Sequence, residues 1–497
     1  MGKRHTIASL AAVLCSLHAA TAAPTSQPVT DSLPGETLTA QSRILGLVEI
    51  WATAKQHFAY FDRVPDLDWD HALVEYLPKV EASTTIGEYY DCLQAFAAKL
   101  NDGHTRVNLP QTLQDQRDNL PIRIEEVEGQ WVVTGRFPTK EILDEDIPVG
   151  SVILNIEGKS VSAFLRENLR VDTSTMSIQA VHGKLNGWCP YPRDKNLRLT
   201  FRYPDDSIHQ RSLRANRREA SWTSEHRKQY LPAWRQHEFF SETIKDNILY
   251  VRYPECDGTN TDRFLQLLST ITDKPPQALI VDLRGNSGGT TPTEVVRHLI
   301  PTTVPSIGMR TRCSISYLEA YLQAVNLCVK SPEERHRMTN EIVEKFMSYG
   351  LVPSSGYTPG WVSLPNKEGL TPTADSYRGL LIVLTNWETG SAAEDMVLLL
   401  RQSANATIIG TPTFGSSGQP YVVPLPGGGM FQVCSSRSIS AGGVDLLPFR
   451  GIQPDVTVEP TIASLVAQQD IWVKAAIEYI ATWKGKNGSS TSPSPRE

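Results

Sequence analysis

Apolar residues recur every three or four positions in two stretches near the start of the chain, RILGLVEIWATAKQHF and TIGEYYDCLQAFAAKL. That period matches one face of an α-helix, so each stretch is predicted to form an amphipathic helix. The pattern stops at NDGHTRV. We therefore predict a helical module over residues 42–108.

The pattern then changes to β-type segments in which apolar residues alternate with polar ones or run together. The segments are LPIRIEEVEGQWVVTGRF, GSVILNIEGKSV and NLRLTFRY. Such segments, broken by glycine and aspartate, are typical of strands joined by turns. They predict a β-rich module over residues 109–215, with a short helix in SVSAFLREN.

Beyond residue 215, uninterrupted apolar runs are separated by helical segments. The predicted strands are NILYVRY, QALIVDLRG, GLLIVLTN and ATIIGT, and the predicted helices are TPTEVVRHLI and SAAEDMVLLLRQS. Strands that are apolar throughout favour a mostly parallel sheet that is covered on both faces. The sequence thus predicts an α/β core over residues 216–482, with a polar helical insertion at 304–375. The low-complexity segment 483–497 is predicted to be a disordered tail.

The first residues have the composition of a targeting segment. MGKRH is basic, the following TIASLAAVLCSLHAATA is apolar and rich in small residues, and Ala20-Thr21-Ala22 fits a small-x-small cleavage site. These features predict a signal peptide at 1–22 and a polar linker at 23–41, and hence export to the periplasm or the exterior. No other stretch is long and apolar enough to predict a membrane span.

Composition excludes several functional classes. The net charge of −6 gives no indication of a nucleic-acid partner or an anionic membrane surface. Neither a C-x-x-C spacing nor a histidine–cysteine cluster occurs, so no metal site or cofactor is predicted. Six of the seven cysteines follow the signal peptide. In an exported protein they can pair, as Cys313 and Cys328 are close enough to do, or serve as small buried hydrophobes.

A glycine-rich loop, VDLRGNSGGT, follows one of the apolar strands and precedes a helix. Open α/β sheets place their sites at the carboxyl ends of strands, which is where this loop lies. The pair Gly288-Gly289 leaves backbone N–H groups accessible, and such groups can form an oxyanion hole. A tight turn with no chemical role is the alternative. In neither case is Ser287 predicted to be a nucleophile.

A second junction, LLIVLTNWETGSAAEDMVLLL, places Ser391 between a strand and a helix. A serine in this position is commonly an N-cap, and Glu394 three residues later would complete a capping box. The same geometry suits a nucleophile, because the N-terminus of the helix stabilises the negative charge that forms beside the serine. The spacing of the residues does not distinguish the two roles.

Several motifs together resemble the C-terminal-processing, or tail-specific, serine protease family. They are QALIVDLRGNSGG, LLIVLTNWETGSAAEDMVLLL, IIGTPTFGSSGQP, FRGIQPDVTVEPT, LNDGHTRV and DIPVGSVILNIEGKSV. The resemblance covers roughly residues 40–480. It implies a crotonase-like, ClpP-like core of stacked βα units, preceded by the helical module and by a PDZ-like domain at 109–215.

By this resemblance, Ser391 takes the position of the nucleophile. The backbone N–H groups of Gly288 and Ala392 take the positions of the oxyanion hole. Gly289, Glu394 and Ser416 are the candidate supporting residues. Ser287 then belongs to the loop that stabilises the charge created at Ser391.

The base is where the sequence departs from the tail-specific branch. That branch has a lysine in a T-F-G-K motif, which here reads Thr413-Phe414-Gly415-Ser416, and no lysine lies between Lys367 and Lys474. The tricorn-core-like branch uses a histidine from the helical part, and His104 occupies the matching position. A neutral imidazole can accept a proton at pH 7. A structural role for His104 in its turn is the alternative.

The group that orients His104 is unassigned by the sequence. The tricorn-like branch has a glutamate before its G-x-x-P-D stretch, and residues 446–450 here contain no acid. Asp102 and Glu394 lie near the motifs, and the sequence places neither of them against the histidine. Ser416 is the alternative, as a residue that forms hydrogen bonds within the site.

These interpretations predict an exported serine endopeptidase that cleaves peptides or unfolded proteins through an acyl-enzyme. The PDZ-like module is expected to hold an extended substrate by strand addition. The alternative is a non-catalytic protein of the same scaffold that binds a peptide or an apolar ligand. A crotonase-type acyl-CoA enzyme would share the glycine loops, but the signal peptide and the serine motif disfavour it. The oligomeric state is not predicted.

Overall fold

The structure is a computed structural model, and it describes residues 38–145, 147–169, 178–186, 190–235, 238–245, 247–312, 331–333, 335–337, 339–340, 361–364, 368–447 and 450–487. The predicted signal peptide, most of the predicted linker, and Cys189, Cys313 and Cys328 lie outside these ranges. The three cysteines within them, Cys92, Cys256 and Cys434, are free thiols. No helix in these ranges is both long and apolar enough to cross a membrane.

The N-terminal part is helical, as the apolar spacing predicts. Its helices are α1 (Ala40–His57), α2 (Trp69–Glu81) and α3 (Ile86–Ala97). Each begins at a side-chain cap: Thr39 accepts from Ser42 N–H, Asp68 from His71 N–H, and Thr85 from Glu88 N–H. Such caps satisfy N–H groups that have no partner within the helix.

The helical part shares its apolar core with a strand from later in the chain. Its strand β1 (Arg106–Asn108) pairs antiparallel with a strand near residue 430. Buried residues of the helices form one apolar cluster with Phe431 and Val433 of that same strand. This packing brings the loop that contains His104 against the C-terminal third of the chain.

The β-rich part contains one five-stranded antiparallel sheet with the order β3-β4-β5-β7-β8. The strands are β3 (Ile122–Val127), β4 (Gln130–Arg136), β5 (Val152–Ile156), β7 (Asn196–Arg202) and β8 (Ile208–Arg214). A separate short pair joins β2 (Arg117–Asp118) and β6 (Tyr191–Pro192). The helices here are α4 (Gln111–Gln114), α5 (Lys140–Glu145), α6 (Val161–Leu169), α7 (Ile178–Asn186) and α8 (Ser224–Tyr230).

The third part contains a six-stranded sheet of order β19-β15-β14-β11-β10-β9. Its strands are β9 (Phe240–Thr243), β10 (Ile248–Arg252), β11 (Ala278–Asp282), β14 (Leu380–Thr385), β15 (Ala406–Gly410) and β19 (Val456–Thr457). All neighbours are parallel except β9, which pairs antiparallel with β10. Apolar clusters cover both faces. The prediction of a mostly parallel sheet buried on both sides is therefore confirmed.

The register of this sheet decides where the loops meet. Asp282, at the end of β11, lies beside Leu384 near the end of β14, and Thr385 lies beside Gly410 at the end of β15. The three loops that follow these strands therefore leave from one edge. They carry the glycine-rich motif, Ser391 and Ser416.

The helices of this part are α9 (Gly258–Ile271), α10 (Thr293–Leu299), α11 (Ala392–Arg401), α12 (Ile462–Val466) and α13 (Ile471–Asn487). Two smaller sheets complete it, with strands β12 (Gly308–Arg312), β13 (Trp361–Leu364) and β18 (Ser436–Ile439) in one, and β16 (Pro420–Pro424) and β17 (Met430–Cys434) with β1 in the other.

Two boundaries differ from the sequence prediction. Near both ends of the predicted helical insertion at 304–375, the structure has a strand and not a helix. These strands are β12 and β13, which pair with each other, and β12 also pairs with β18. Most of the polar segment between them lies outside the described residues. Helix α13 runs to Asn487, five residues into the predicted disordered tail. Ile477 and Ile480 of this helix pack on the core sheet, and that packing extends the helix beyond what local composition indicates.

Candidate active site

Ser391 has an unusual backbone conformation at the junction between β14 and α11. Its φ is +55° and its ψ is −127°. An ordinary N-cap residue is extended, and a non-glycine residue at positive φ carries strain that the surrounding structure must offset. The predicted capping box between Ser391 and Glu394 is present, and the N–H of Glu394 also bonds to the carbonyl oxygen of Ser391 at 2.8 Å. A strained strand-to-helix turn is how nucleophilic serines are exposed in other hydrolases.

Glu394 is a buried carboxyl that ties the start of α11 to the loop of the Thr-Phe-Gly-Ser motif. It accepts hydrogen bonds from Thr413 Oγ1 at 2.5 Å, Gly415 N at 2.8 Å, Ser416 N at 3.1 Å and Ser391 N at 3.2 Å. Burial raises the pKa of Glu394 to about 7, against the opposing effect of these donors. The Ser391 N–H also lies 3.2 Å from the carbonyl oxygen of Ser416.

The glycine-rich loop packs directly on Ser391. A Cβ built on Gly288 would lie 2.5 Å from the Cβ of Ser391, and Gly288 has a φ of +113°. Only glycine permits this approach. The N–H of Gly288 donates to Asn286 Oδ1 at 2.9 Å, so this predicted oxyanion donor already has an acceptor.

The other two amides near Ser391 differ from Gly288. Among the described residues, the N–H groups of Ala392 and Gly289 make no hydrogen bond. They are the donors of the predicted set that have no acceptor in this part of the structure. The exposed Ser287 hydroxyl points elsewhere and donates to Glu255 Oε1 at 3.1 Å. This agrees with the prediction that Ser287 is not the nucleophile.

His104 reaches the same region from the N-terminal part. Its Nδ1 lies 2.7 Å from Ser416 Oγ, and its backbone N–H lies 3.1 Å from Asp102 Oδ2 and 3.2 Å from Ser416 Oγ. The hydroxyl of Ser416 in turn donates to Asp102 Oδ1 at 3.0 Å. Ser416 therefore contacts both the backbone of Ser391 and the ring of His104.

The ring of Phe414 packs between the two loops that carry these residues. A Cβ built on Gly103 would lie 2.1 Å from Phe414 Cε1, and one built on Gly390 would lie 3.4 Å from Phe414 Cβ. Gly103 and Gly390 immediately precede His104 and Ser391. One aromatic side chain thus fixes the spacing of both loops.

The structure brings the predicted residues into one region, with roles that the sequence leaves open. Ser391, Gly288, Ala392 and Glu394 meet at the start of α11, and His104 joins them through Ser416. Sequence reasoning missed two contacts: Asp102 as the acceptor for Ser416, and Asn286 as the acceptor for Gly288. The acidic residue in NDGHT was the available signal for the first.

The residue that precedes this junction is anchored by buried charges. Glu388 lies 2.6 Å from Arg123 and 3.2 Å from Arg235, and both arginines also pair with Glu125. Arg123 and Glu125 belong to β3, so the β-rich part is fixed to the loop that leads into Ser391. Removal of one member of a buried ion pair leaves the charge of its partner uncompensated, so each of these charges depends on the others.

The edge of the β-rich sheet differs from the predicted peptide site. Strand β3 lies at the edge, and its outward groups are occupied by side chains of α7. Asn186 accepts from Ile124 N–H at 2.9 Å and donates to Ile124 O at 2.7 Å, while His182 Nε2 accepts from Glu126 N–H at 2.9 Å. These are the bonds that an added peptide strand would make. The expected strand addition is not available at these β3 positions in this structure.

We expect Asn186→Ala to lower the free energy of unfolding by about 1–3 kcal/mol, because it leaves the buried N–H and C=O of Ile124 unpaired. Urea denaturation followed by circular dichroism measures the change. The control is Asn196→Ala at an exposed position of β7, which should change stability by less than about 0.5 kcal/mol. Equal losses in the two variants would contradict the side-chain closure of this edge.

If Ser391 is a nucleophile as the sequence predicts, we expect Gly288→Ala to reduce the rate of hydrolysis by about 100-fold or more, a loss typical of a damaged oxyanion hole. The added Cβ would meet Ser391 Cβ at 2.5 Å and the oxygen of Gly390 at 2.9 Å. The matched control is Gly129→Ala, which also has a positive φ but opens onto empty space. Initial rates on an unfolded protein substrate measure both, and similar rates for the two variants would exclude close packing as a requirement.

Comparison with known proteins gives the following similarities. Residues 247–458 match the family model of Peptidase family S41. The crystal structure of mature CPAF has a TM-score of 0.68 at 14% identity and covers 92% of this chain and 100% of that chain. Mature CPAF complexed with lactacystin has a TM-score of 0.65 at 15% identity, with 90% and 98% covered. The photosystem II D1 C-terminal processing protease has a TM-score of 0.44 at 18% identity, with 86% and 97% covered.

Proposed function

We propose that this chain, whose residues 247–458 match the model of Peptidase family S41, is a serine peptidase that hydrolyses peptide bonds in peptides or unfolded proteins through an acyl-enzyme on Ser391, with His104 as general base. The observation that carries the proposal is the position of Ser416. Its carbonyl oxygen accepts from Ser391 N–H, and its hydroxyl lies 2.7 Å from His104 Nδ1. The nucleophile and the base thus lie in one region of the site, and proton transfer further requires Ser391 Oγ and His104 Nε2 to approach to about 3 Å when substrate binds.

In the first step, Ser391 Oγ attacks the carbonyl carbon of the scissile bond and its proton passes to His104 Nε2. The carbonyl π electrons move to oxygen, and the N–H groups of Ala392 and the glycine loop stabilise this oxyanion. When the intermediate collapses, the C–N bond breaks and the proton goes from His104 to the leaving amine. A water molecule then attacks the ester, His104 accepts the proton of the water, and Ser391 regains its own on release of the carboxylic acid product.

The N–H of Gly288 can join the oxyanion hole only if it exchanges its present acceptor, Asn286 Oδ1, for the oxyanion. Its N–H would leave Asn286 Oδ1 and bond to the oxyanion, which is a stronger acceptor because it is charged. Ala392 N–H needs no such exchange. The proposed site therefore gains its second donor as substrate charge develops.

We also propose a fold family for the two β-containing parts, a location for the protein and a route for the substrate. The parallel sheet with its glycine loops suits a crotonase-like core, and the five-stranded module suits a PDZ-like domain whose β3 edge is closed. The signal-like N-terminus supports export to the periplasm or the exterior. The substrate would then enter the cleft beside Ser391 without strand addition at Ile124 and Glu126.

A non-catalytic binding protein is the second candidate. The observation that favours it is the hydrogen bond between Gly288 N–H and Asn286 Oδ1, which occupies a donor that catalysis would use. A protein of this kind would hold a peptide or an apolar ligand in the same cleft without cleaving it.

Labelling with a fluorophosphonate probe separates the two candidates, because the probe reacts only with an activated serine. We expect one adduct, located by mass spectrometry on the peptide that contains Ser391. Ser287→Ala is the matched control and should react like the wild type, whereas Ser391→Ala should not react. An adduct on another residue, or an unreactive wild-type protein, would exclude the proposed peptidase.

A further inference from the structure

We propose that Asp102 is a positioning residue that acts through the Ser416 hydroxyl to hold His104 in the tautomer and orientation of a general base. This inference rests on the proposed function of His104. It assigns a role to the serine that stands where the tail-specific branch has lysine, and it supplies the orienting group that the sequence leaves unassigned.

The direction of each hydrogen bond follows from counting protons. An ionised carboxylate only accepts, so the contact of 3.0 Å between Ser416 Oγ and Asp102 Oδ1 uses the single proton of the hydroxyl. Ser416 Oγ must then be the acceptor in its contact of 2.7 Å with His104 Nδ1. The proton of the neutral imidazole is therefore on Nδ1. Nε2 carries the lone pair, which is the requirement for a base at that atom.

The backbone of the same loop reinforces this arrangement. The His104 N–H lies within hydrogen-bond distance of both Asp102 Oδ2 and Ser416 Oγ. Thr105 Oγ1 donates to Asp102 Oδ2 at 2.7 Å, and the N–H of Cys434 donates to Thr105 Oγ1 at 3.1 Å. Both carboxylate oxygens of Asp102 thus have donors. The carboxylate is fixed before it orients the serine.

The backbone carbonyl group of His104 is also held in place. Gln432 Nε2 donates to the carbonyl oxygen of His104 at 2.9 Å, and Gln432 lies on β17, which pairs with β1. The residue that carries the base is therefore held by a strand as well as by its own turn. A base that is held in place loses less entropy when it enters the transition state.

Because the Ser416 hydroxyl lies between them, the carboxylate of Asp102 acts on the ring of His104 indirectly. Two consecutive hydrogen bonds place the carboxylate within about 6 Å of Nδ1, a range in which an opposite charge still stabilises the imidazolium. The effect is smaller than that of a carboxylate in direct contact. We therefore expect Asp102 to support His104 both by its charge and by orienting the ring, and Ser416 to support it by orienting the ring.

Other titratable groups also face this site. They are Arg106, Tyr60 and Cys434, which interact with Asp102, and Glu394, which accepts from Ser416 N–H. Burial raises the pKa of Tyr60 and of Cys434 above their ordinary values, so both are neutral at pH 7. The pKa of Glu394, about 7, lies in the range of histidine. The test must therefore follow His104 itself as well as the rate.

The kinetic test is a double-mutant cycle on peptide hydrolysis at fixed pH. We expect Ser416→Ala to lower kcat by about 10- to 100-fold with KM little changed, in keeping with the loss of an orienting bond. Ser416→Thr keeps the hydroxyl and should restore most of the rate. Asp102→Asn should lower kcat, and the loss in the double variant should be clearly smaller than the product of the two single losses, because only the charge of Asp102 still acts once the Ser416 hydroxyl is gone. Fully additive losses would overturn action through Ser416.

The second readout does not need activity. In the Ser391→Ala background, ¹⁵N-resolved NMR follows the tautomer and the titration of His104. We expect the Nδ1–H form, and we expect both Asp102→Asn and Ser416→Ala to lower the pKa of His104. Asp262→Asn, at an exposed position of α9, is the control and should not shift it. An Nε2–H tautomer, or a titration unchanged by both variants, would overturn the inference.

The two failures are distinguishable. If the fluorophosphonate leaves Ser391 unreacted but NMR shows the expected shifts, the proposed function fails and the contact is structural. If Ser391 reacts but the NMR shifts are absent, the peptidase stands and another group orients His104.

Discussion

Ser391→Ala is expected to lower kcat for peptide hydrolysis by about 10⁵- to 10⁶-fold, the loss seen when a serine nucleophile is removed. The hydroxyl supplies the atom that forms the ester, and no neighbouring side chain has the same geometry. Ser287 is the nearest alternative in the glycine-rich loop, but its hydroxyl donates to Glu255. The measurement is the initial rate of cleavage of an unfolded protein substrate, followed by the appearance of new amino termini.

Ser287→Ala is the control for this substitution and should retain the rate within about two-fold, because nothing in the proposed chemistry uses that hydroxyl. Circular dichroism and the melting temperature should show that the Ser391→Ala protein is folded. Cleavage by Ser391→Ala at more than about one hundredth of the wild-type rate would contradict the role of this serine as the nucleophile.

His104→Gln has the second largest expected effect, a fall in kcat of about 10²- to 10⁴-fold, which is the range for a general base. Glutamine retains hydrogen-bonding groups close to the ring positions, so the change tests proton transfer more than packing. KM should change little, because a general base acts in the transition state and not in substrate binding. The measurement is kcat and KM on the same substrate at pH 7.5.

His226→Gln is the matched control, because that histidine lies on α8, in the β-rich part and not among the residues of the candidate site. It should retain the wild-type rate. A His104→Gln enzyme that is as fast as this control would show that another group accepts the proton from Ser391.

Two groups bear on the pH dependence, the imidazole of His104 and the buried carboxyl of Glu394. The ordinary pKa of a glutamate is 4.5, and burial raises that of Glu394 to about 7. The folded protein therefore binds this proton more tightly than the unfolded chain does. Its contribution to stability is present below pH 4.5 and is lost as the pH rises through about 7. A change in rate near pH 7 thus has two sources, and the His104 variant separates them.

The sequence could predict the elements whose signal is local. Uninterrupted apolar runs predicted the parallel strands β10, β11, β14 and β15, because such runs are buried on both faces. Ser391 was placed correctly at the start of a helix because the strand, glycine and helix pattern is contiguous. The predicted tail begins too early because α13 continues to Asn487, and the packing of Ile477, Ile480 and Trp483 on the sheet is not visible in local composition.

The arrangement around His104 could not be predicted in the same way. The contacts among Asp102, His104 and Ser416 join positions more than 300 apart in the sequence, through side-chain atoms. Periodicity gives no information about such contacts, since it reports only which face of an element is buried. The closure of β3 by His182 and Asn186 was missed for the same reason. Edge groups were assumed open, and two polar side chains of a neighbouring helix fill them.

The central claim is that His104 activates Ser391, and the rate of acylation of Ser391 by a fluorophosphonate, measured against pH, tests it most directly. The wild-type rate should rise with pH as the imidazole of His104 loses its proton, because only the neutral ring can accept the proton of Ser391. His104→Gln should remove this rise and react at least about 100-fold more slowly. Equal rates and the same pH profile in both proteins would contradict the account.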